Sequence, residues 1–261
     1  MPLNRRSFTA SAVAVGAVLL TGRPADAARA VVDLPVREAG FPAPPPQPAG
    51  PVTLRVTTTN QLTAVGLLRL HDGVPLERVI GHIRLVFSDD PLVVVEAGRA
   101  MMRDTDQLGT ATLDPGTTVT VTAVLAPGRY HLVDYHRVYE RAPGEWIRPL
   151  DVLPHDAATA SATAAATIVL DEPRFHAPVR MRAAAPYRVI NAGHQPNEAV
   201  LMPVRPGTTR ADLQAFFTAL DSGSQPPTFP YPGGATGMGP ISPGRTAVVT
   251  TSLPPGSYAL V

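Results

Sequence analysis

The last 21 residues of this 261-residue chain repeat a stretch near its middle, and the duplication limits what the chain can fold into. Residues 113–133 read LDPGTTVTVTAVLAPGRYHLV, and residues 241–261 read ISPGRTAVVTTSLPPGSYALV, identical at 11 of 21 positions. Each copy predicts a Pro-Gly turn, an alternating strand, a second Pro-Gly turn and a further strand. Self-similarity of this kind predicts a duplicated domain.

Both halves also predict a helix inserted among the strands. In the first half the helical pattern lies in residues 76–87, and a second short helix is expected over residues 90–102. In the second half the apolar residues of 213–220 share one face, behind a capping box at Thr209 and Asp212. The 30 prolines and 21 glycines, with many valines and threonines, favour short strands joined by turns. The predicted fold class is therefore mainly β.

Composition divides the chain into five parts. Residues 1–27 precede a Pro-rich spacer over residues 28–51, and an Ala/Thr-rich linker over residues 154–167 separates the two predicted domains. The first domain is expected over residues 52–153 and the second over residues 168–261.

The first 27 residues have the pattern of an export signal. The paired Arg5 and Arg6 precede a mildly apolar run over residues 10–20 that is too short to span a bilayer, and Ala25-Asp26-Ala27 fits a cleavage site. The Arg-Arg-x-Phe core and weakly apolar run favour a twin-arginine signal, and an ordinary secretory signal is the alternative. Either signal predicts a secreted or extracytoplasmic protein with no membrane span in the mature chain.

Cysteine is absent, and the charge is nearly balanced. The absence of cysteine excludes disulfides, thiolate metal sites and cysteine nucleophiles from the chain as given. It also excludes a type 1 copper centre, whose defining ligand is a thiolate. The formal net charge is +1 without a basic stripe, so we expect no nucleic-acid partner.

Two motifs give the chain a likeness to a known family. Val189-Ile190-Asn191-Ala192-Gly193, followed downstream by Leu-x-Pro-Gly-x-Tyr-x-Leu, resembles the cupredoxins of the plastocyanin and azurin type. The resemblance covers both repeats and implies two tandem Greek-key β-sandwiches, each with a short helical insertion. It also implies where copper ligands belong: a His after the Asn-x-Gly strand, and a Cys, a His and often a Met around the loop between the last two strands.

The positions implied by the resemblance do not carry a complete ligand set. In the second repeat the first ligand position falls near Asn197, with His194 three residues early. The Cys position directly follows Tyr-x-Leu-Val, which here ends at Val261, and in the first repeat it is Asp134, with the His position near Thr63. We therefore expect no cofactor in the chain as given, and copper only if the natural chain extends past Val261.

The final strand of the second domain is expected to lack its neighbour. A sandwich of this kind needs a further strand after residue 261, so the chain is expected to be a fragment or a domain with one strand fewer. An unpaired edge invites a protein partner or self-association.

Other candidate site residues lie in two places. His131, Asp134 and His136 fall within six residues and could bind zinc or Cu(II), although on a strand His131 would face away from the other two. A Gly- and Pro-rich loop over residues 223–240 carries a candidate contact set, namely Phe229, Tyr231 and Met238.

Three functions follow from these observations. The favoured one is an exported, non-catalytic binding or structural protein built from two degenerate cupredoxin-like domains. The alternative is a type 1 copper electron-transfer protein whose sequence here stops before its Cys-His-Met loop. A hydrolase or oxidase using His131, Asp134 and His136 is the third and least favoured.

Overall fold

The structure is a computed structural model that describes residues 11–13, 30–59, 62–140, 143–155, 162–172, 174–226 and 228–261. Two β-sheets face each other, and helices cover the outer face of one of them. This arrangement confirms the predicted mainly β sandwich class.

The first repeat supplies eight strands and three helices to the described part of the chain. Its strands are β2 (Ala30–Val36), β3 (Gln47–Pro48), β4 (Gly50–Thr58), β5 (Thr63–Leu70), β6 (Thr105–Leu113), β7 (Thr118–Leu125), β8 (Gly128–Asp134) and β9 (Ile147–Leu153). Its helices are α1 (Leu76–Leu85), α2 (Pro91–Asp104) and α3 (Tyr135–Glu140). A short strand, β1 (Ser11–Val13), precedes them, and a 3-10 turn spans Pro143–Glu145.

The described residues of the second repeat form seven strands and one helix. They are β10 (Ala166–Asp171), β11 (Arg174–His176), β12 (Tyr187–Asn191), β13 (Asn197–Pro203), α4 (Arg210–Asp221), β14 (Thr236–Ile241), β15 (Thr246–Thr251) and β16 (Tyr258–Leu260). One sheet has the order β1-β16-β13-β14-β6-β5-β8-β9-β3, and the other has the order β11-β10-β12-β15-β7-β4-β2. Both sheets therefore run through both repeats.

The repeats meet along equivalent strands, around an internal pseudo-two-fold axis. The repeat offset is 128 residues, from Leu113 to Ile241, so β6 matches β14 and β7 matches β15. Each of these strands pairs antiparallel with its own counterpart, and Val121 lies opposite its equivalent, Val249. Such self-complementary pairing is the geometry of a two-fold dimer interface. Here it joins two halves of one chain, and one apolar core between the sheets takes residues from both halves.

The helices lie on the outer face of the nine-stranded sheet because its strands are apolar on both faces. Alternate residues of β5 point to the inner core and to α1, whose Val79, Ile80 and Ile83 pack with Leu68 of the strand. In the second repeat, Phe216 of α4 packs in the same way on the outer face of β13 and β16.

The helix boundaries agree with the signals in the sequence. The carboxylate of Asp90 accepts a hydrogen bond from the backbone N–H of Leu92 at 2.8 Å, and Pro91 occupies the first turn of α2. Both bonds of the predicted Thr209–Asp212 capping box are present at the start of α4.

The stretch interpreted as a Pro-rich spacer contains regular structure. Residues 30–36 form β2, parallel to β4, because Val32, Leu34 and Val36 alternate into the core. The prolines of residues 42–51 obscured this alternation. In the predicted linker, β10 begins at Ala166, and residues 156–161 lie outside the described part of the chain. The division into two domains stays a prediction.

The outer edge of β16 is occupied in the structure. The backbone of β1, which falls within the predicted export signal, pairs antiparallel with β16, with Ser11 opposite Leu260. In the first repeat the matching edge of β8 pairs with β9. Whether another chain binds this edge stays a prediction.

Candidate functional site

The Asn-Ala-Gly loop after β12 is held by one buried side chain. Asn191 is fully buried, and its Nδ2 donates to the backbone oxygens of Ile241 at 2.7 Å and Gln195 at 2.8 Å. Its Oδ1 accepts the N–H of Gly193 at 3.0 Å. A Cβ on Gly193 would lie 2.8 Å from Nδ2 of Asn197, so the glycine permits the tight turn. The motif that suggested the family therefore has a structural role here.

The two positions matching the first copper ligand are also engaged in the fold. Nδ2 of Asn197 donates to Oδ1 of Asn191 and to the backbone oxygen of Gln195, each at 3.2 Å. In the first repeat, Thr63 is fully buried, and its Oγ1 lies 3.0 Å from Oγ1 of Thr58. Neither side chain carries an imidazole nitrogen, the ligand expected at this position.

Asp134, at the position matching the copper thiolate in the first repeat, caps a helix. It is fully buried at the end of β8, and its Oδ1 accepts the backbone N–H of His136 at 3.2 Å, in the first turn of α3. Burial raises the pKa of Asp134 to about 6, opposed in part by backbone N–H groups of Ala64, His136 and Arg137. The carboxyl is therefore a costly buried charge at neutral pH.

The three candidate metal ligands of this segment do not form a site. His131 lies within β8 and points away from Asp134; burial and the positive charge of Arg129 lower the pKa of its imidazole. The interpretation of His136 as a strand residue is wrong: β8 ends at Asp134, and His136 packs in α3 with its ring 5.5 Å from that of Phe87.

His194 lies apart from these residues, exposed in the loop before β13. Its backbone N–H donates to Oε1 of Glu172 at 3.3 Å. Among the described residues, no group of three or more His, Asp or Glu side chains is arranged to hold a metal ion.

The predicted contact loop is mostly part of the core. Met238 is fully buried in β14, and Tyr231 is 2% exposed, packed edge-on against Phe216 of α4 with ring centroids 5.6 Å apart. Only Phe229 is exposed, at 56%. The prediction of a three-residue contact surface was wrong because glycine and proline content does not show which apolar side chains turn inward.

The sequence did not reveal that Arg78 and His82 of α1 both contact the carboxylate of Asp104 at the end of α2. The carboxylate of Asp104 accepts from Nε2 of His82 at 2.7 Å and from Nε of Arg78 at 2.8 Å, and it is nearly buried. Desolvation opposes its ionisation, but these two partners outweigh it and lower the pKa of Asp104. The four-residue spacing of Arg78 and His82 was the available signal.

A cavity of about 60 Å³ lies at one end of the second repeat. Its walls come from β12, β13, β15 and the loops around residues 181–185 and 253–256. The phenol of Tyr187 lines it, and its hydroxyl has no hydrogen-bond partner among the described residues. Nothing in the alternating pattern of β12 distinguishes this tyrosine from an ordinary core residue.

No helix in the described part of the chain is both long and apolar enough to cross a membrane.

No protein-family model and no curated protein matches this sequence. Similar solved structures include auracyanin A, a "blue" copper protein from Chloroflexus aurantiacus, with 18% identity and a TM-score of 0.33 over 48% of this chain and 98% of that chain. Reduced auracyanin from Roseiflexus castenholzii has 19% identity and a TM-score of 0.34, over 49% and 99% of the two chains.

The blue copper oxidase from Nitrosomonas europaea is 14% identical with a TM-score of 0.26, over 85% of this chain and 74% of that one. The auracyanins are cupredoxins, the family that the sequence resembles. At such low identities and TM-scores, neither copper nor a reaction transfers from them to this chain.

Proposed function

We propose that the chain is an exported, non-catalytic binding protein built from two degenerate cupredoxin-like sandwiches. One observation carries the proposal: the side chains at the ligand positions are engaged in the fold. Asn197 stabilises the Asn191 loop, Asp134 caps α3, and the hydroxyl of Thr63 contacts that of Thr58. Replacing Asn197 or Thr63 with histidine, or Asp134 with cysteine, would remove a contact that holds a loop or a helix end.

The dispersed histidines support the same proposal. A hydrolytic or oxidative site needs several groups converging on one reacting atom. His131 and Asp134 lie on opposite faces of β8, and the ring of His136 packs in α3 against Phe87. The three residues proposed for a hydrolase or oxidase therefore do not converge on one point.

Metal titration of the exported chain tests the non-catalytic proposal. Purified protein is equilibrated with Cu(II) or Zn(II), dialysed, and analysed for metal per chain. We expect no metal to be retained, and no difference between the unaltered protein and the His136→Ala variant. The His194→Ala variant is the matched control. Retention of about one metal ion that is lost only in His136→Ala would overturn the proposal and restore the enzyme hypothesis.

Export is tested separately on the paired arginines. Replacing both Arg5 and Arg6 with lysine is expected to leave an uncleaved precursor in the cytoplasm if the twin-arginine route is used. N-terminal sequencing of the unaltered exported protein is expected to begin at residue 28. Normal export of the double variant would contradict the twin-arginine route and favour the ordinary secretory signal.

A further inference from the structure

The strands β7 and β15 separate at one end, and a cavity opens between them. In the described part of the chain their pairing ends with Thr122 opposite Val248. The next residues, Ala123 of β7 and Ala247 of β15, pair only with the strands on their other sides. The cavity has a volume of about 290 Å³, and residues of both strand ends line it.

The other end of the same strand pair is closed. There Val119 pairs with Thr251, and hydrogen bonds between the strands continue beyond this pair. With the repeat offset of 128 residues, their counterparts at the open end are Ala247 and Ala123, respectively. The fold therefore does not require the gap, and two small side chains leave space where the closed end has valine and threonine.

The floor of the cavity is apolar. Leu108, Ala123 and Ala247 line it and also belong to the core between the two sheets. An alkyl group that enters the gap therefore leaves water and contacts core side chains. Such burial favours binding roughly in proportion to the apolar area that is removed from water.

The wall of the cavity carries positive charge. Arg188 and Arg245 line it, and no Asp or Glu is found among the described residues that line it. Nη2 of Arg245 donates to Oδ2 of Asp106, outside this lining, at 2.6 Å. Nη2 of Arg188 donates at 3.2 Å to the backbone oxygen of Ala162, which lines the cavity, so this guanidinium lies at the wall. A guanidinium has several N–H groups, so Arg188 can hold Ala162 and donate to a ligand as well.

We propose that this cavity binds an aliphatic carboxylate, whose charged group accepts hydrogen bonds from Arg188 and whose alkyl chain lies against Ala123 and Ala247. The inference rests on the proposed function and deepens it, because it supplies the ligand class of a non-catalytic binding protein. A planar guanidinium matches the two oxygens of a carboxylate. A cavity of about 150 Å³ accommodates benzene, so about 290 Å³ has room for a chain of about eight carbon atoms.

Octanoate and octanamide test the contribution of the charge. The two molecules have the same length and nearly the same shape, but only octanoate is charged. Isothermal titration calorimetry of the exported protein should show about one octanoate per chain and about tenfold weaker binding of octanamide. Arg188→Gln should weaken octanoate to the level of octanamide. Unchanged binding of octanamide by this variant shows that the altered cavity is still folded.

A second variant and a shorter acid test where the chain lies. Ala247→Val gives the open end the side chain that Val119 supplies at the closed end, and it should weaken octanoate and octanamide alike. Hexanoate should bind the unaltered protein about tenfold more weakly than octanoate, because fewer methylene groups are buried.

The matched control is Arg55→Gln. Arg55 is the counterpart of Arg188 in the strand pairing of the first repeat. It is exposed, pairs with Asp33 and lies outside the described lining of the cavity. Four results would each overturn the proposal: no binding of octanoate, equal affinity for octanamide, octanoate binding unaffected by Arg188→Gln or by Ala247→Val, and an equal loss in Arg55→Gln.

Copper is measured in the same samples to separate the two proposals. A copper-free protein that binds neither probe contradicts the cavity proposal alone. A copper-loaded protein contradicts the proposed function whatever the probes do.

Discussion

Replacing Asp134 with asparagine should remove a loss of stability that the protein suffers as the pH rises from 3.5 to 8. The carboxyl is fully buried, and burial raises its pKa from 3.8 to about 6. Because the pKa is higher in the folded chain than in the unfolded chain, folding favours the protonated form. The contribution of the protonated carboxyl to the free energy of unfolding is therefore fully present below pH 3.8, and it is lost as the pH rises through about 6.

The size of the effect follows from the pKa difference. Each pKa unit corresponds to about 1.4 kcal/mol, so a rise from 3.8 to about 6 makes the ionised carboxyl cost about 3 kcal/mol. Asparagine carries no charge, and its side-chain oxygen can still accept the N–H of His136. We compare the free energy of unfolding of Asp134→Asn with that of the unaltered protein at each pH. This difference should be about 3 kcal/mol more in favour of the variant at pH 7.5 than near pH 3.5.

Urea unfolding of both proteins between pH 3.5 and 8 measures this difference. Any fixed cost of fitting the amide cancels, because only the change with pH reports the carboxyl. The control is Asp151→Asn. Asp151 is exposed and pairs with Arg129, which lowers its pKa, so its variant should show a small change of opposite sign. The reasoning is refuted if the difference in free energy of unfolding between Asp134→Asn and the unaltered protein does not change between pH 3.5 and 8.

Three further variants are measured by the same urea unfolding. Tyr258→Phe removes the hydroxyl that donates to Pro254 and should cost about 1 kcal/mol; no loss would show that this bond adds nothing. Thr209→Ala removes the α4 cap and should cost about 1 kcal/mol, against no change in Thr208→Ala. Asp104→Asn should lose stability at pH 7 because the ionised carboxyl is favoured in the folded chain, and the loss should shrink as the pH falls below 4.

Local patterns predicted the local structure well. Three of these features depend on residues only a few positions apart. They are the capping box at Thr209, the start of α2 after Asp90, and the strands between Pro-Gly turns. The identical Tyr positions in the repeat also have one shared role. Tyr130 donates to the backbone oxygen of Ala126, as Tyr258 does to that of Pro254, which is 128 residues further along.

The arrangement of the repeats could not be predicted in the same way. The pairing of β6 with β14 and of β7 with β15 joins residues more than 120 positions apart, and no local pattern marks which strands meet. The register depends on close approach at the junction: a Cβ on Gly239 would lie 2.7 Å from Oγ1 of Thr112. A glycine inside a strand predicts such a close approach, but it does not predict which strand lies opposite.

The candidate site was predicted only in part. The lack of a cysteine and the unsuitable Asn197 follow directly from the sequence. The helix that begins at Tyr135 and takes His136 out of β8 does not, because a short apolar segment with histidines fits a strand or a helix equally well. The unpartnered hydroxyl of Tyr187 could be found only once its surroundings were known.

The central claim is that the ligand positions of both sandwiches hold the fold and not a metal. Elemental copper analysis, with intact mass, of the exported protein purified from cells that carry the natural gene tests it most directly. The account predicts a colourless protein without copper. A blue protein with about one copper per chain, and a mass above that of residues 28–261, would contradict it and identify an electron-transfer protein.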